Sequence, residues 1–198
     1  MATKFQKLTL TETVRRTQEH YYGKSRNLEG TPKNDPLTED EMHFIQARDS
    51  FYMATVSETG WPYIQHRGGQ PGFLRVLSPT TLAFADYKGN RQLLSTGNLA
   101  ASDRVALFLM DYPQRTRLKI LGHAHVKDAR EYPDLVAQLA SPEVQNKVER
   151  LVFIELVSFD WNCPQYITPR YTIEEMKDVM IELQQQIAEL NTEIKSRI

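Results

Sequence analysis

Arg115-Thr116-Arg117-Leu118-Lys119-Ile120-Leu121-Gly122-His123-Ala124-His125-Val126 is the stretch that decides the fold class. Side chains of an extended chain point alternately to opposite faces. Thr116, Leu118, Ile120, Gly122, Ala124 and Val126 therefore share one face, and Arg115, Arg117, Lys119, Leu121, His123 and His125 share the other. The first set is small or apolar and should meet a core. The second is largely polar and cationic. This alternation predicts a strand with one buried face.

The same period recurs on either side. Residues 51–57 and 62–67 flank the turn Glu58-Thr59-Gly60-Trp61, and residues 72–77 and 81–85 flank Ser78-Pro79-Thr80, so two hairpins are expected. Residues 105–110 form a continuous apolar run, as expected of a strand buried on both faces. Residues 151–159 supply the last long strand. The ends read as helix. A Thr followed three residues later by Glu is a capping-box pattern, and it occurs at Thr9-Glu12, Thr38-Glu41 and Thr172-Glu175. The first would open a helix with Leu10, Val14 and Tyr21 on one stripe, the second a helix with Met42 and Ile45 as its apolar pair. Ser141-Pro142 resembles an N-cap with proline at the first helical position. Residues 23–37, rich in Gly, Pro, Asn and Lys, read as an irregular connector.

The resulting plan is an N-terminal helix and connector over 1–37, a mainly β domain over 38–168, and an amphipathic helix over 169–198. Short strands joined by hairpins, with few helices, point to an antiparallel barrel or sandwich and not to a doubly wound sheet. The chain has 198 residues, one cysteine and a net charge of −1. A single cysteine excludes a disulfide scaffold and a multi-thiolate metal site. The charge balance argues against nucleic acid as a partner. No apolar run approaches ~18 residues, so no membrane partner is expected. The first residues lack an apolar signal core, so the expected location is cytoplasmic.

Walker A, Gly-x-Ser-x-Gly, Gly-x-Gly-x-x-Gly and His-Glu-x-x-His patterns are all missing from the sequence. His123 and His125 share a strand face but have no identifiable third ligand, so no metal is assigned. Asp86-Tyr87-Lys88-Gly89-Asn90-Arg91-Gln92 says more. A strand should end near Ala85 and a helix start at Asn90, with Leu93, Leu94 and Leu99 on its apolar side. Free N–H groups at a helix start, beside a guanidinium, suit a phosphate. The alternative is a solvated Gly-Asn turn. Gln65-His66-Arg67-Gly68-Gly69 ends a strand with a cation beside two glycines, where a ligand can approach the backbone or an Arg can simply face water.

Residues 51–126 resemble the flavin-binding split-barrel family related to pyridoxamine 5′-phosphate oxidase. The resemblance is carried by Phe51-Tyr52-Met53-Ala54-Thr55-Val56, Gly60 to Gly69, Leu82 to Gln92, Asn98-Leu99 with Arg104-Val105-Ala106-Leu107, and Arg117 to Ala124. It implies a six-stranded antiparallel split barrel with flanking helices, a homodimer, and FMN bound at the dimer interface. It further implies that Gln65, His66, Arg67 and Gly68 lie along the flavin and that Ala85, Asp86, Asn90, Arg91 and Gln92 take the ribityl and phosphate positions. Arg117 falls where the family has a polar contact before the Gly of its long strand. Of the family's Ser-Arg-Lys phosphate run, only Arg91 keeps its cation here, so Arg67 or Arg117 would share the neutralisation. Nothing in the chain is equivalent to the Arg-Leu-x-x-Arg-type substrate motif of true pyridoxamine phosphate oxidases, so the substrate is expected to be another small molecule.

Trp161-Asn162-Cys163-Pro164-Gln165-Tyr166-Ile167 resembles a C-terminal motif of an uncharacterised branch of that family. Trp161, Asn162 and Gln165 would border the flavin; the alternative is a barrel-closing loop with a core Trp. Cys163 has no adjacent base or cation to activate it and reads as an inert thiol. Ile173, Met176, Met180, Leu183, Ile187, Leu190 and Ile194 recur at spacings of three and four, which fits an intermolecular coiled-coil seam or a helix lying on its own barrel. No residue is assigned a catalytic role. The functional expectation is an FMN-dependent oxidoreductase using a small-molecule substrate or electron donor. A flavin-binding stress or sensor protein without turnover, or a split-barrel dimer binding haem or a deazaflavin, is the alternative.

Overall fold

The computed structural model describes residues 3–26, 36–161 and 164–196. Two short helices, α1 (Thr3–Thr9) and α2 (Glu12–Tyr22), come first, followed by α3 (Glu39–Gln46). Seven strands follow, β1 (Ser50–Val56), β2 (Pro62–Gly68), β3 (Arg75–Ser78), β4 (Thr81–Tyr87), β5 (Arg104–Asp111), β6 (Thr116–Asp128) and β7 (Val148–Trp161). Helix α4 (Leu94–Ala101) separates β4 from β5, α5 (Pro133–Leu139) separates β6 from β7, and α6 (Ile173–Ser196) ends the chain. The strands form one antiparallel sheet in the order β2-β1-β5-β6-β7-β4-β3. The sheet curls until its two ends face each other. Phe51 on β1 packs edge-on against Phe84 on β4, with ring centroids 5.4 Å apart, and Arg67 on β2 reaches Asp86 on β4. The result is the expected split barrel, with seven strands where six were expected.

The alternation in β6 sets this closure. Leu118, Ile120, Gly122 and Ala124 are buried, as their face requires. Leu118, Ile120 and Ala124 join Ile45, Met53, Leu74, Leu82, Leu107 and Ile154 in the main core. Gly122 has no room for a side chain. A Cβ there would lie 2.7 Å from the Glu155 carbonyl oxygen, at the point where the β6–β7 register shifts.

Several local expectations are corrected. The Thr9 box is not a helix start: Thr9 closes α1, its hydroxyl donating to Phe5 O at 2.9 Å, and Thr11 caps α2 instead. Proline does open a helix after β6, but it is Pro133, and Ser141-Pro142 leads into a turn. Strand β5 buries Val105, Leu107 and Leu109, while Ala106, Phe108 and Met110 stay partly open on the outer face. The other two capping boxes form. Glu41 accepts from the N–H and hydroxyl of Thr38 at 2.9 and 2.6 Å, and Glu175 from those of Thr172 at 2.7 and 3.0 Å. Among the described residues, no helix is long and apolar enough to cross a membrane.

Candidate functional site

Strand β2 carries two chemistries on its two faces. Tyr63, Gln65 and Arg67 point into a cleft of about 230 Å³ walled by the end of β4, the loop 88–93 and the first turn of α4. The cleft brings together Gln65, Arg67, Asp86, Asn90, Arg91 and Gln92, six residues singled out from separate stretches of sequence. His66, Gly68 and Ala85 adjoin Arg67 and Asp86 in a smaller depression on the neighbouring side.

Charge in the cleft is organised around Asp86. Its two carboxylate oxygens accept from Arg67 Nη1 at 2.5 Å and from Arg150 Nε at 2.8 Å. Arg150 also donates to Glu149 at 3.0 Å. Burial pulls the Arg150 guanidinium down, but its bonds to Asp86 and Glu149 outweigh this and raise its pKa. Arg67 is held by Asp86 yet, among the described residues, keeps one buried donor, Nε, without a partner. Arg91 is exposed and, among the described residues, pairs with no acid. Arg150 and the cleft-lining Ser95 were not anticipated. Asp86 sits opposite Arg150 only through the β4–β7 register, which no local pattern reveals.

The loop departs from the expected geometry. Helix α4 begins at Leu94, not at Asn90. The Asn90 side chain accepts from the Gln92 N–H at 3.2 Å, closing an Asx turn, and Arg91 and Leu93 adopt left-handed backbone with φ of 63° and 55°. Such a turn competes with helix, and left-handed non-Gly residues are strained and concentrate at functional sites. The expected N–H donors are thus those of Leu94, Ser95 and Thr96, which line the cleft and lack intrahelical partners. Buried Ser95 donates to Gln65 Oε1 at 2.8 Å, which fixes that amide and leaves its NH2 to donate elsewhere.

Ile64, on the even-numbered side of β2, lines a second cleft of about 680 Å³ on the outer face of β1, β5 and β6. Ile64, Tyr52, Phe108 and Tyr112 make it apolar, and Arg117, Lys119 and Arg170 stand at its edge. Each cation lies over a ring: Arg117 over Phe108 at 5.5 Å, Lys119 over Phe5 at 4.8 Å, Arg170 over Tyr112 at 4.9 Å. Lys119 also pairs with Asp160 at 2.8 Å. Burial, and then a hydrogen bond with Tyr52, raise the Tyr112 phenol above its ordinary value. Arg117 therefore does not line the cleft that holds Arg67 and Arg91.

Trp161 stands apart from both clefts. Its indole N–H donates to Glu41 at 2.6 Å and its ring meets Phe44 edge-on at 4.8 Å. Burial pushes the Glu41 carboxyl up, but the bonds from Thr38 and Trp161 hold it below the usual carboxylate range. Gln165 is exposed in a turn, and Asn162 and Cys163 lie outside the described residues. His123 bonds Asp103 at 3.0 Å and His125 stacks on Phe153. Among the described residues, no group of three or more His, Cys, Asp or Glu is placed to hold a metal ion.

The family model described as pyridoxamine 5′-phosphate oxidase matches residues 37–156. A solved structure from Lactobacillus delbrueckii, a candidate pyridoxamine 5′-phosphate oxidase by its description, is similar in fold. Its TM-score is 0.51 at 24% identity, over 65% of this chain and 96% of that one. HupZ from Group A Streptococcus scores 0.48 at 14% identity, over 68% of this chain and 99% of that one. A pyridoxamine 5′-phosphate oxidase-related, FMN-binding protein from Nostoc punctiforme scores 0.42 at 14% identity, over 57% and 73%. No curated protein matches the sequence.

Proposed function

The chain belongs to the pyridoxamine 5′-phosphate oxidase family, and from that premise we propose that it is an FMN-dependent oxidoreductase acting on a small molecule, with the flavin held between two copies. The observation that carries this reading is the polar cleft at β2. Among the described residues it gathers an exposed cation with no acid partner (Arg91), a buried guanidinium N–H without a partner (Arg67 Nε) and the N–H groups at the start of α4 that lack intrahelical partners. These donors fit a phosphate.

Arg91 and Arg67 would hold the phosphate, Arg67 being kept in place by the Asp86–Arg150 arrangement behind it. Gln65, oriented by Ser95, would donate to the cofactor along β2. FMN, when bound, supplies the hydride and electron chemistry, and the protein supplies anchoring, orientation and charge. The His66 ring packs edge-on against Tyr52.

Two observations favour a shared site. Arg117, which the family resemblance assigns to the same flavin, opens onto the other cleft. Serving one cofactor with Arg67 and Arg117 then requires a second copy. The outer face of β1 and β2 and the turn between them also expose Tyr52, Val56, Trp61 and Ile64, the kind of apolar patch that marks an interface.

The test is reconstitution with FMN followed by anaerobic addition of a reduced nicotinamide nucleotide and then air. Loss and return of the yellow flavin absorbance is the expected result. Bound flavin that no nicotinamide donor reduces would argue for a sensor, and failure to bind FMN would defeat the reading.

A further inference from the structure

Helix α6 has an apolar stripe that its own fold leaves uncovered. From Lys177 to Leu190 every residue is exposed, and Met180, Leu183, Ile187 and Leu190 are each half-exposed or more. A helix without tertiary packing is marginal in water. Ile173, Met180 and Ile187 fall at one heptad position, and Met176, Leu183 and Leu190 at the other. A helix lying on a globular surface follows a 3.6-residue period, whereas a strict alternation of three and four is the signature of helices wound around each other.

We propose that α6 pairs with α6 of a second copy of this chain, as a parallel, in-register two-stranded coiled coil. Isoleucine at the first core position with leucine at the second selects two parallel strands. The charge pattern suits a second copy and not a basic partner. Glu174, Glu175, Asp178, Glu182 and Glu189 all lie on the outward positions, away from the seam. The described flanking positions are Lys177, Val179, Gln184 and Gln186, so identical helices meet without opposed acids.

The pairing also constrains the clefts. Arg170, at the edge of the apolar cleft, precedes the first helical residue, Ile173, by three positions. Three residues span at most about 10 Å, and paired helix axes lie about 10 Å apart. The two Arg170 residues, and with them the two apolar clefts, are therefore brought to the twofold axis. This pairing stands on the helix alone and does not depend on the flavin reading.

The experiment places single cysteines in the full-length Cys163→Ser protein and oxidises it mildly. Leu190→Cys and Met176→Cys should each give near-complete disulfide-linked dimer on a non-reducing gel. Glu182→Cys, on the outward side, should give little. Equal linking at 182 and 190, or no linking at 176 and 190, would overturn the proposal. So would linking only in a mixture of the Met176→Cys and Leu190→Cys proteins, which would mean antiparallel helices. The introduced cysteines are all on α6, outside the barrel, and circular dichroism of each variant against the Cys163→Ser parent verifies that the barrel folds.

Discussion

The two clefts that share strand β2 hold similar numbers of cations and use them in opposite ways. In the polar cleft the guanidinium groups of Arg67 and Arg150 converge on one carboxylate, and Arg91 is left over. In the apolar cleft Arg117, Lys119 and Arg170 each lie over an aromatic ring. A cation on a carboxylate is fixed in direction and can share its remaining donors with an anion. A cation on a ring keeps its charge while covering flat apolar surface. The first arrangement suits a phosphate and the second a face that another molecule covers. The period-2 alternation of a single strand, Tyr63, Gln65 and Arg67 against Ile64, delivers both.

The division can be broken from the polar side first. Arg91→Ala should weaken FMN binding by roughly 10- to 100-fold, the value of a charge-assisted hydrogen bond to phosphate. Arg130→Ala, whose exposed guanidinium is tied to Asp128, should change it less than about twofold by the same reasoning. Equal affinities in a fluorescence titration would remove the phosphate from this cleft. From the apolar side, Ile64→Lys puts a charge on the exposed face of β2 without touching Gln65 or Arg67. Sedimentation should show a dimer weakened by about tenfold or more, because a buried unpaired charge is costly. An unchanged dimer would put the interface elsewhere.

A third substitution sharpens the comparison by leaving both clefts alone. Trp161→Phe keeps the packing on Phe44 but removes the donor to buried Glu41. Denaturant unfolding should show a loss of ~1.5–3 kcal/mol, the range for a hydrogen bond to a charged group, with FMN affinity unchanged. A drop in affinity at constant stability would return Trp161 to the flavin. The smallest effect is in acid. The Glu41 carboxyl is held below its ordinary value of 4.5. Its contribution is therefore complete above that value and is lost as pH falls through the lowered one. Below about pH 4.5 the wild type should lose stability more steeply than Trp161→Phe; parallel curves would show that the bond does not set this carboxyl.

The barrel was legible because hairpins and faces are local patterns. The alternation of residues 116–126, the two turns and the capping boxes at Thr38 and Thr172 all formed, whereas Arg115 falls in the turn before β6 with left-handed backbone. Errors arose where two local signals competed. Thr9 and Thr11 lie two apart, and the nearer one caps. Pro133 and Pro142 both follow β6, and the helix took the earlier. At Asn90 the Asx turn beat the helix that the leucines suggested. The polar cleft was half legible: the resemblance located Arg67, Asp86 and Arg91, but Arg150 enters only through a strand register 64 residues away. The bond from Trp161 to Glu41 was hidden for the same reason, since the two lie 120 residues apart.

The most direct test of the account is a pair of calorimetric titrations of the full chain, one with FMN and one with riboflavin, which lacks the phosphate. The cleft at Arg67 and Arg91 predicts about one FMN per chain, bound at least tenfold more tightly than riboflavin. Equal affinities, or no binding of either, would contradict it.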